Sequence, residues 1–215
     1  MEGRRVVITG LGVVSPIALG ADDFWDALFR PSDTGKTREI GDWDPGPWFD
    51  GPKDARRADR FTQLAAGATG LALEQAGDLG GDPDRIGVII GTGIGGLHTL
   101  EEQVEVHRVR GAARVSPFLI PMLMPNAAAA RVSMRHGFRG PCQTVGTACA
   151  AGTHSIGDAA RMIATGRCDV MIAGGTESAI TPTGVAGFDN MTALSTSGVS
   201  RPFDKDRDGF VLAEG

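Results

Sequence analysis

Cysteine is scarce in this chain. Three occur among 215 residues, Cys142, Cys149 and Cys168, an odd number with no Cys-x-x-Cys pair, which argues against a disulfide framework and a structural zinc site. Long apolar runs are absent too. None approaches the roughly 20 residues needed to cross a bilayer, and the chain opens on the strand-like Arg4-Arg-Val-Val-Ile-Thr9 instead of a signal peptide. A cytoplasmic protein with no membrane partner is expected. Positive charge is not in excess, the net charge being −5, so nucleic acid is disfavoured as the main partner. There is no internal repeat, low-complexity tract or collagen period, so the 32 glycines serve tight turns and close packing. What remains is 41% hydrophobic, enough for a substantial core in one large domain or two small ones.

Four runs have β character: Arg4 to Thr9, Arg85 to Ile90, Cys142 to Ala148 and Asp169 to Ala173. Helical patterns fall between them at about Asp22 to Phe29, Arg57 to Ala76, Leu97 to Val109, Asn126 to His136 and Cys149 to Thr165. Strands alternating with helices predict an α/β layered architecture on a parallel or mixed sheet. Arg30 to Pro52, rich in Pro, Gly and Asp, reads as a long excursion that packs through Trp43 and Trp48. The closing Gly209-Phe-Val-Leu-Ala-Glu-Gly215 reads as the start of a strand with nothing to pair against, as if the chain stopped in mid-fold.

Cys149 is the most informative residue. It lies in Val145-Gly-Thr-Ala-Cys-Ala-Ala-Gly-Thr-His-Ser-Ile-Gly157, where a short buried strand gives way to a helix. The first turn of that helix presents unpaired N–H groups, which favour thiolate over thiol. No acidic residue occurs between Gly140 and Asp158 to oppose them. A lone cysteine is ordinarily a small buried hydrophobe; the strand, turn and helix setting argues for a nucleophile. His154 is not its base, because five residues along a helix turn the side chains roughly 140° apart.

Other motifs fall away. Gly91-Thr-Gly-Ile-Gly-Gly96 matches a dinucleotide fingerprint, yet the acid expected about 20 residues on is missing, and a tight turn is the better reading. Pro16 breaks the helix that Thr9-Gly-Leu-Gly12 would need for phosphate, and Gly35-Lys-Thr37 has Arg30 where a P-loop begins with glycine. Asp204-Lys-Asp-Arg-Asp-Gly209 copies half of an EF-hand but has Gly215 in place of the bidentate glutamate.

Several stretches together resemble the β-ketoacyl-acyl carrier protein synthases of the thiolase fold, in particular the elongating group similar to synthase II. They are Arg4 to Pro16, Gly91 to Gly96, Arg139-Gly-Pro141, Thr147-Ala-Cys-Ala-Ala-Gly152 with His154, Gly174-Gly-Thr-Glu177, and Arg201 to Phe210. The resemblance implies a thiolase-like layered αβαβα fold, of which residues 1–215 are the N-terminal half with a mixed five-stranded sheet. It implies that Cys149 takes an acyl group from acyl carrier protein, and that the carbanion formed by decarboxylation of malonyl carrier protein then extends it. Ile94 would line or gate the acyl pocket, and Ala127 to Ala130 would pack near it and near a homodimer interface. Lys53, Arg56 and Arg57, with Arg114 as an addition, would dock the acidic carrier protein; read without the family, residues 53–60 are equally an ordinary solvated helix start. No metal or other cofactor is implied, and Glu177 and the 201–210 segment are structural.

Family members run to roughly twice this length. Their two catalytic histidines, a lysine and a second oxyanion donor fall in a C-terminal half that this chain does not match, so condensation by this polypeptide alone is not expected. Two other readings stay open: a ketosynthase subunit of a polyketide system, and a non-catalytic ketosynthase-like partner. Ala148 and His154 lean towards fatty acid synthesis, and Cys149 counts against the partner.

Overall fold

The computed structural model describes residues 3–31 and 33–215. After α1 (Ala21–Ala27) and the short β1 (Thr37–Arg38), a turn of helix α2 (Pro52–Ala55) leads into the long α3 (Arg60–Ala76). Then come β2 (Ile86–Gly91), α4 (Leu97–Arg110), α5 (Leu119–Leu123), α6 (Ala127–His136), β3 (Cys142–Gln143) and α7 (Ala151–Ala164). The chain closes with β4 (Val170–Gly175), α8 (Pro182–Asn190) and β5 (Leu212–Ala213).

The centre is a parallel sheet in the order β3-β2-β4. All six residues of β2 are buried, as suits a strand covered on both faces. Alternation sends Val88 and Ile90 to one side, where Phe61 and Ala65 of α3 and Ala128, Ala129 and Val132 of α6 meet them. Gly91 faces the other way, against Ala151 and Ser155 of α7. The result is helix, sheet and helix in layers, with α7 against both β2 and β4.

Asp59 starts α3 three residues later than periodicity suggests. Its Oδ1 accepts the Phe61 N–H at 3.3 Å and its Oδ2 accepts the Thr99 N–H at 2.8 Å, so one buried carboxylate caps α3 and ties α4 to it. The 30–52 excursion packs through its tryptophans as composition suggests. Trp43 and Trp48 stack with centroids 5.5 Å apart, against a face of α3 where a Cβ on Gly67 or Gly70 would strike their rings.

The strand pattern differs from expectation in three places. Arg4 to Thr9 forms no strand, and Val7 and Ile8 are exposed. An apolar cleft of about 330 Å³ lies between this segment and β4, lined by Val6, Ile8, Ile156 and Ile172 among others. β-propensity makes a strand only where a ladder completes it; here Arg4 donates its N–H to Ala164 O of α7 at 3.0 Å instead. The 142–148 run is a two-residue strand with exposed side chains, continued as extended chain to Val145, whose carbonyl accepts the Thr92 N–H at 3.1 Å. The closing residues do find a partner: Leu212 and Ala213 pair in parallel with Thr37 and Arg38. The five described strands are therefore split into sheets of three and two, both parallel, not joined as one mixed sheet.

Glu214 locks the two-stranded ladder to the core. Its carboxylate, nearly inaccessible to solvent, meets Arg60 Nη2 at 2.9 Å and accepts the Ile40 N–H and the Ser178 hydroxyl, each at 2.8 Å. Burial alone would push this carboxyl up, but Arg60, Ile40 and Ser178 together hold it below its ordinary value. The stability it contributes is therefore present above the unfolded-state value of about 4.3 and is lost as pH falls through the lower folded value. Replacing Arg60 by alanine strands a buried charge and is expected to cost about 3 kcal/mol at neutral pH. The gap from wild type in urea midpoint should narrow as acid protonates Glu214; a gap independent of pH contradicts this pairing.

Candidate active site

The site is built on the entry to α7. Extended chain from β3 reaches Thr147, and Ala148 then takes a φ of 49°, a left-handed conformation that costs an alanine on the order of 1 kcal/mol. A 3₁₀ turn over Ala148–Ala150 runs into α7, so Cys149 sits in the tight turn that leads into the helix. Its side chain is exposed. No side chain caps the first turn of α7, and no acid occupies it, which leaves helix N–H groups beside the thiol.

Packing holds this strained elbow in place. A Cβ on Gly91 would lie 2.5 Å from Ala151 O, and one on Gly175 would lie 2.7 Å from Gly152 Cα, so α7 rests directly on the backbones of β2 and β4. His154 turns its ring back across one face of the helix, placing Nδ1 2.8 Å from Thr147 Oγ1. It therefore braces the residue before the elbow, in keeping with the helical angle that separates it from Cys149. The chain's other thiols are Cys142 and Cys168. Desolvation raises Cys142, which a Ser133 hydrogen bond opposes, and it also raises Cys168, which is fully buried.

The turn from Gly91 to Gly96 joins β2 to α4, with Gly95 at φ 87° and pressed against Leu123 and Pro125. A nucleotide would need its amides, but these are engaged. Gly93 and Ile94 donate their N–H groups to Glu177 Oε2 at 2.7 and 3.0 Å, and Thr92 Oγ1 donates to Glu177 Oε1 at 3.2 Å. A Cβ on Gly93 would come within 3.4 Å of Ala148 Cα, so the turn carrying Ile94 lies against the elbow carrying Cys149. The fold thus brings those two residues into one locality.

Glu177 was not legible as part of this site. No acid lies between Gly140 and Asp158, yet a carboxylate from 177 reaches the elbow's neighbour through the pairing of β4 with β2. The Gly174-Gly-Thr-Glu177 motif was the available signal. Asp208, an acid of the EF-hand lookalike, is likewise engaged internally, accepting from Ser195, Thr196 and Ser197 at 2.7 to 3.1 Å, bonds that hold its carboxyl far below the usual range.

Lys53, Arg56 and Arg57 lie exposed on and just after α2, and Arg114 ends a 3₁₀ turn after α4. Arg57 covers the Phe118 ring at 4.4 Å, which brings the two segments together. Asp54, the acid among these bases, is ion-paired with Arg131, whose hydrogen bond lowers its carboxyl. Among the described residues none of the four candidate docking bases forms an ion pair, so their positive charge faces solvent.

A layered α/β core that carries an exposed thiol on a strained strand-to-helix elbow, beside a clasped glycine turn, places the chain in the α/β class. More narrowly, the chain belongs to the β-ketoacyl synthase family, whose N-terminal domain model matches residues 30–215. It is 42% identical over 238 aligned positions to 3-oxoacyl-[acyl-carrier-protein] synthase 2 of Synechocystis sp., with all of this chain and 56% of that protein covered. The same-named protein of Coxiella burnetii is 43% identical, with 57% of its length covered. Among solved structures, the ishigamide ketosynthase/chain length factor superposes with a TM-score of 0.85 at 28% identity, over 99% of this chain and 57% of that one. A type II polyketide ketosynthase in complex with its acyl-carrier protein gives 0.82 at 26%, over 99% and 56%. The fold is thus the thiolase-like one, and the chain spans about half the length of the curated relatives it matches.

Proposed function

We propose that this chain carries the acyl-accepting nucleophile of an elongating 3-oxoacyl-[acyl-carrier-protein] synthase, an acyltransferase of fatty acid synthesis. The observation that carries the reading is Cys149 on the strained Ala148 elbow, with Ile94 in the turn beside it. The Cys149 sulfur attacks the thioester carbonyl of an acyl carrier protein, and the Cys149 N–H is one donor to the oxyanion. Collapse expels the carrier thiolate, which takes up the proton given up by the Cys149 thiol, and leaves the acyl group on Cys149 as a thioester. Covalent capture divides the overall condensation into two easier steps.

The second step, decarboxylation of malonyl carrier protein and carbanion attack, calls on two histidines, a lysine and a second oxyanion donor that the family resemblance places outside this sequence. Acyl carrier protein is therefore expected to give up one acyl group per chain, with no 3-oxoacyl product on adding malonyl carrier protein. Absence of any acyl transfer, or sustained condensation, would contradict this division. The working enzyme is cytoplasmic and homodimeric in this reading, and needs no metal or other cofactor.

Lys53, Arg56, Arg57 and Arg114 receive the acidic carrier. Their outward charge and the neutralisation of Asp54 by Arg131 support this. Reversing charge at Arg56 and Arg57 together is expected to raise the carrier concentration needed for half-maximal loading about tenfold at low salt, and by less at high salt. An unchanged dependence on carrier removes the patch from the account. A polyketide ketosynthase is the second reading, favoured by the solved neighbours at 26–28% identity; the 42–43% identity to two 3-oxoacyl-[acyl-carrier-protein] synthases favours the first.

A further inference from the structure

We infer that Glu177 is a positioning residue of the acyl site, holding the glycine-rich turn so that Ile94 is presented beside Cys149. The inference rests on the acyl-transfer reading above and assigns a role to a side chain that the sequence marks as merely structural.

The geometry is specific. One carboxylate oxygen accepts two consecutive backbone N–H groups, from Gly93 and Ile94, and the other accepts the Thr92 hydroxyl. Thr92 Oγ1 in turn accepts the Gly95 N–H at 3.2 Å, so every residue from 92 to 95 is tied to Glu177 directly or through one hydroxyl. The anchor itself is fixed. Glu177 exchanges backbone hydrogen bonds with Gly215 at 2.8 and 3.0 Å, while Thr176 N–H reaches Gly91 O at 3.0 Å and its hydroxyl reaches Phe61 O at 2.7 Å. Gly93 leaves no space between them, since a Cβ there would lie 2.9 Å from Glu177 Oε2.

The Glu177 carboxylate directs both oxygens into hydrogen bonds from the protein, the geometry of a positioning group and not of a base aimed at substrate. Its effect falls instead on what the turn carries. Ile94 is 43% exposed, so no deep packing of its own side chain fixes its place; the backbone clasp does. A long acyl group needs that apolar wall in place when it arrives, because ordering a loose turn on binding reduces affinity. An acetyl group is too short to use it.

The test measures acyl loading of Cys149 from acetyl- and dodecanoyl-carrier protein, together with amide hydrogen exchange at Gly93 and Ile94, on the full chain. Glu177→Ala is expected to lower dodecanoyl loading about tenfold relative to acetyl loading, the order expected for a lost charge-assisted hydrogen bond, and to speed exchange at both amides. Glu177→Gln, which keeps an acceptor and the side-chain length, should recover most of the dodecanoyl rate. In an Ile94→Ala background, Glu177→Ala should leave the dodecanoyl-to-acetyl ratio unchanged, because both act on one wall; a general structural role would lower it again. Thr92→Val, which spares Glu177, should shift the ratio in the same direction by about threefold, and it serves as the test if Glu177→Ala does not fold.

A wild-type ratio and unchanged exchange in Glu177→Ala would overturn the inference. If the wild-type chain takes no acyl group at all, the acyl-transfer reading fails and the positioning role for acyl groups falls with it. Exchange at Gly93 and Ile94 then reports separately on the clasp: faster exchange in Glu177→Ala upholds it, and unchanged exchange overturns it as well.

Discussion

Gly175→Ala is expected to destabilise the chain by about 3 kcal/mol, at the upper end of the range for overpacking, and to slow acyl loading of Cys149 by about a hundredfold. The added methyl would lie 2.7 Å from Gly152 Cα and 3.1 Å from its N. Those are backbone atoms, and no side-chain rotation relieves the contact. Relief requires α7 to lift from β4. The same helix is held down at its start by the approach of Ala151 to Gly91, so lifting it disturbs the Ala148 elbow and the direction of the Cys149 sulfur. Gly152→Ala makes a softer contact, 3.3 Å to Gly175 Cα, and should be milder on both counts. Urea midpoints and loading rates for the two variants check the order. Equal behaviour, or a Gly175→Ala variant as stable and reactive as wild type, would show that the elbow is not set by this helix-on-strand contact.

Cys149→Ser is the second large effect. It should leave the urea midpoint within about 0.5 kcal/mol, because the side chain is exposed and changes little in volume. It should lower the loading rate on the order of a thousandfold or more, as losing a nucleophile does in enzymes that work by covalent catalysis. Serine keeps the elbow, the helix end and the backbone N–H, but a hydroxyl is a weaker nucleophile than the sulfur it replaces. His154 does not replace the missing driving force, since its Nδ1 is directed to Thr147. Cys142→Ser and Cys168→Ser act on thiols raised by desolvation and should load as wild type does.

Long elements with a clear period were legible in the sequence. Arg57–Ala76, Leu97–Val109, Asn126–His136 and Cys149–Thr165 correspond to α3, α4, α6 and α7 within three residues at each end, and β2 and β4 lie within two residues of their expected runs. What failed depended on partners distant in the chain. Arg4 to Thr9 has strand composition but no ladder, whereas Leu212 and Ala213 gain one from residues more than 170 positions earlier. Helix α8 was missed because Gly184 and Gly187 dilute its apolar period. Its start was nonetheless signalled: Thr181 caps the Gly184 N–H at 3.0 Å, and Pro182 takes the first helical position.

The site divides along the same line. The place of Cys149 at a strand-to-helix turn could be read from local sequence, and that of Ile94 in a tight turn from its glycine motif. Glu177 could not, because its partners lie more than 80 residues away and only the pairing of β2 with β4 brings them together. The left-handed Ala148 also went unseen, since nothing about an alanine announces a positive φ; packing on both sides imposes it.

The most direct test of the central claim is the intact mass of the chain after incubation with acyl carrier protein, with Cys149→Ser measured alongside and the modified peptide mapped. The account predicts one acyl adduct per chain, located on Cys149 and absent from the serine variant. No adduct on the wild type, an adduct on Cys142 or Cys168, or one that persists in Cys149→Ser would contradict it.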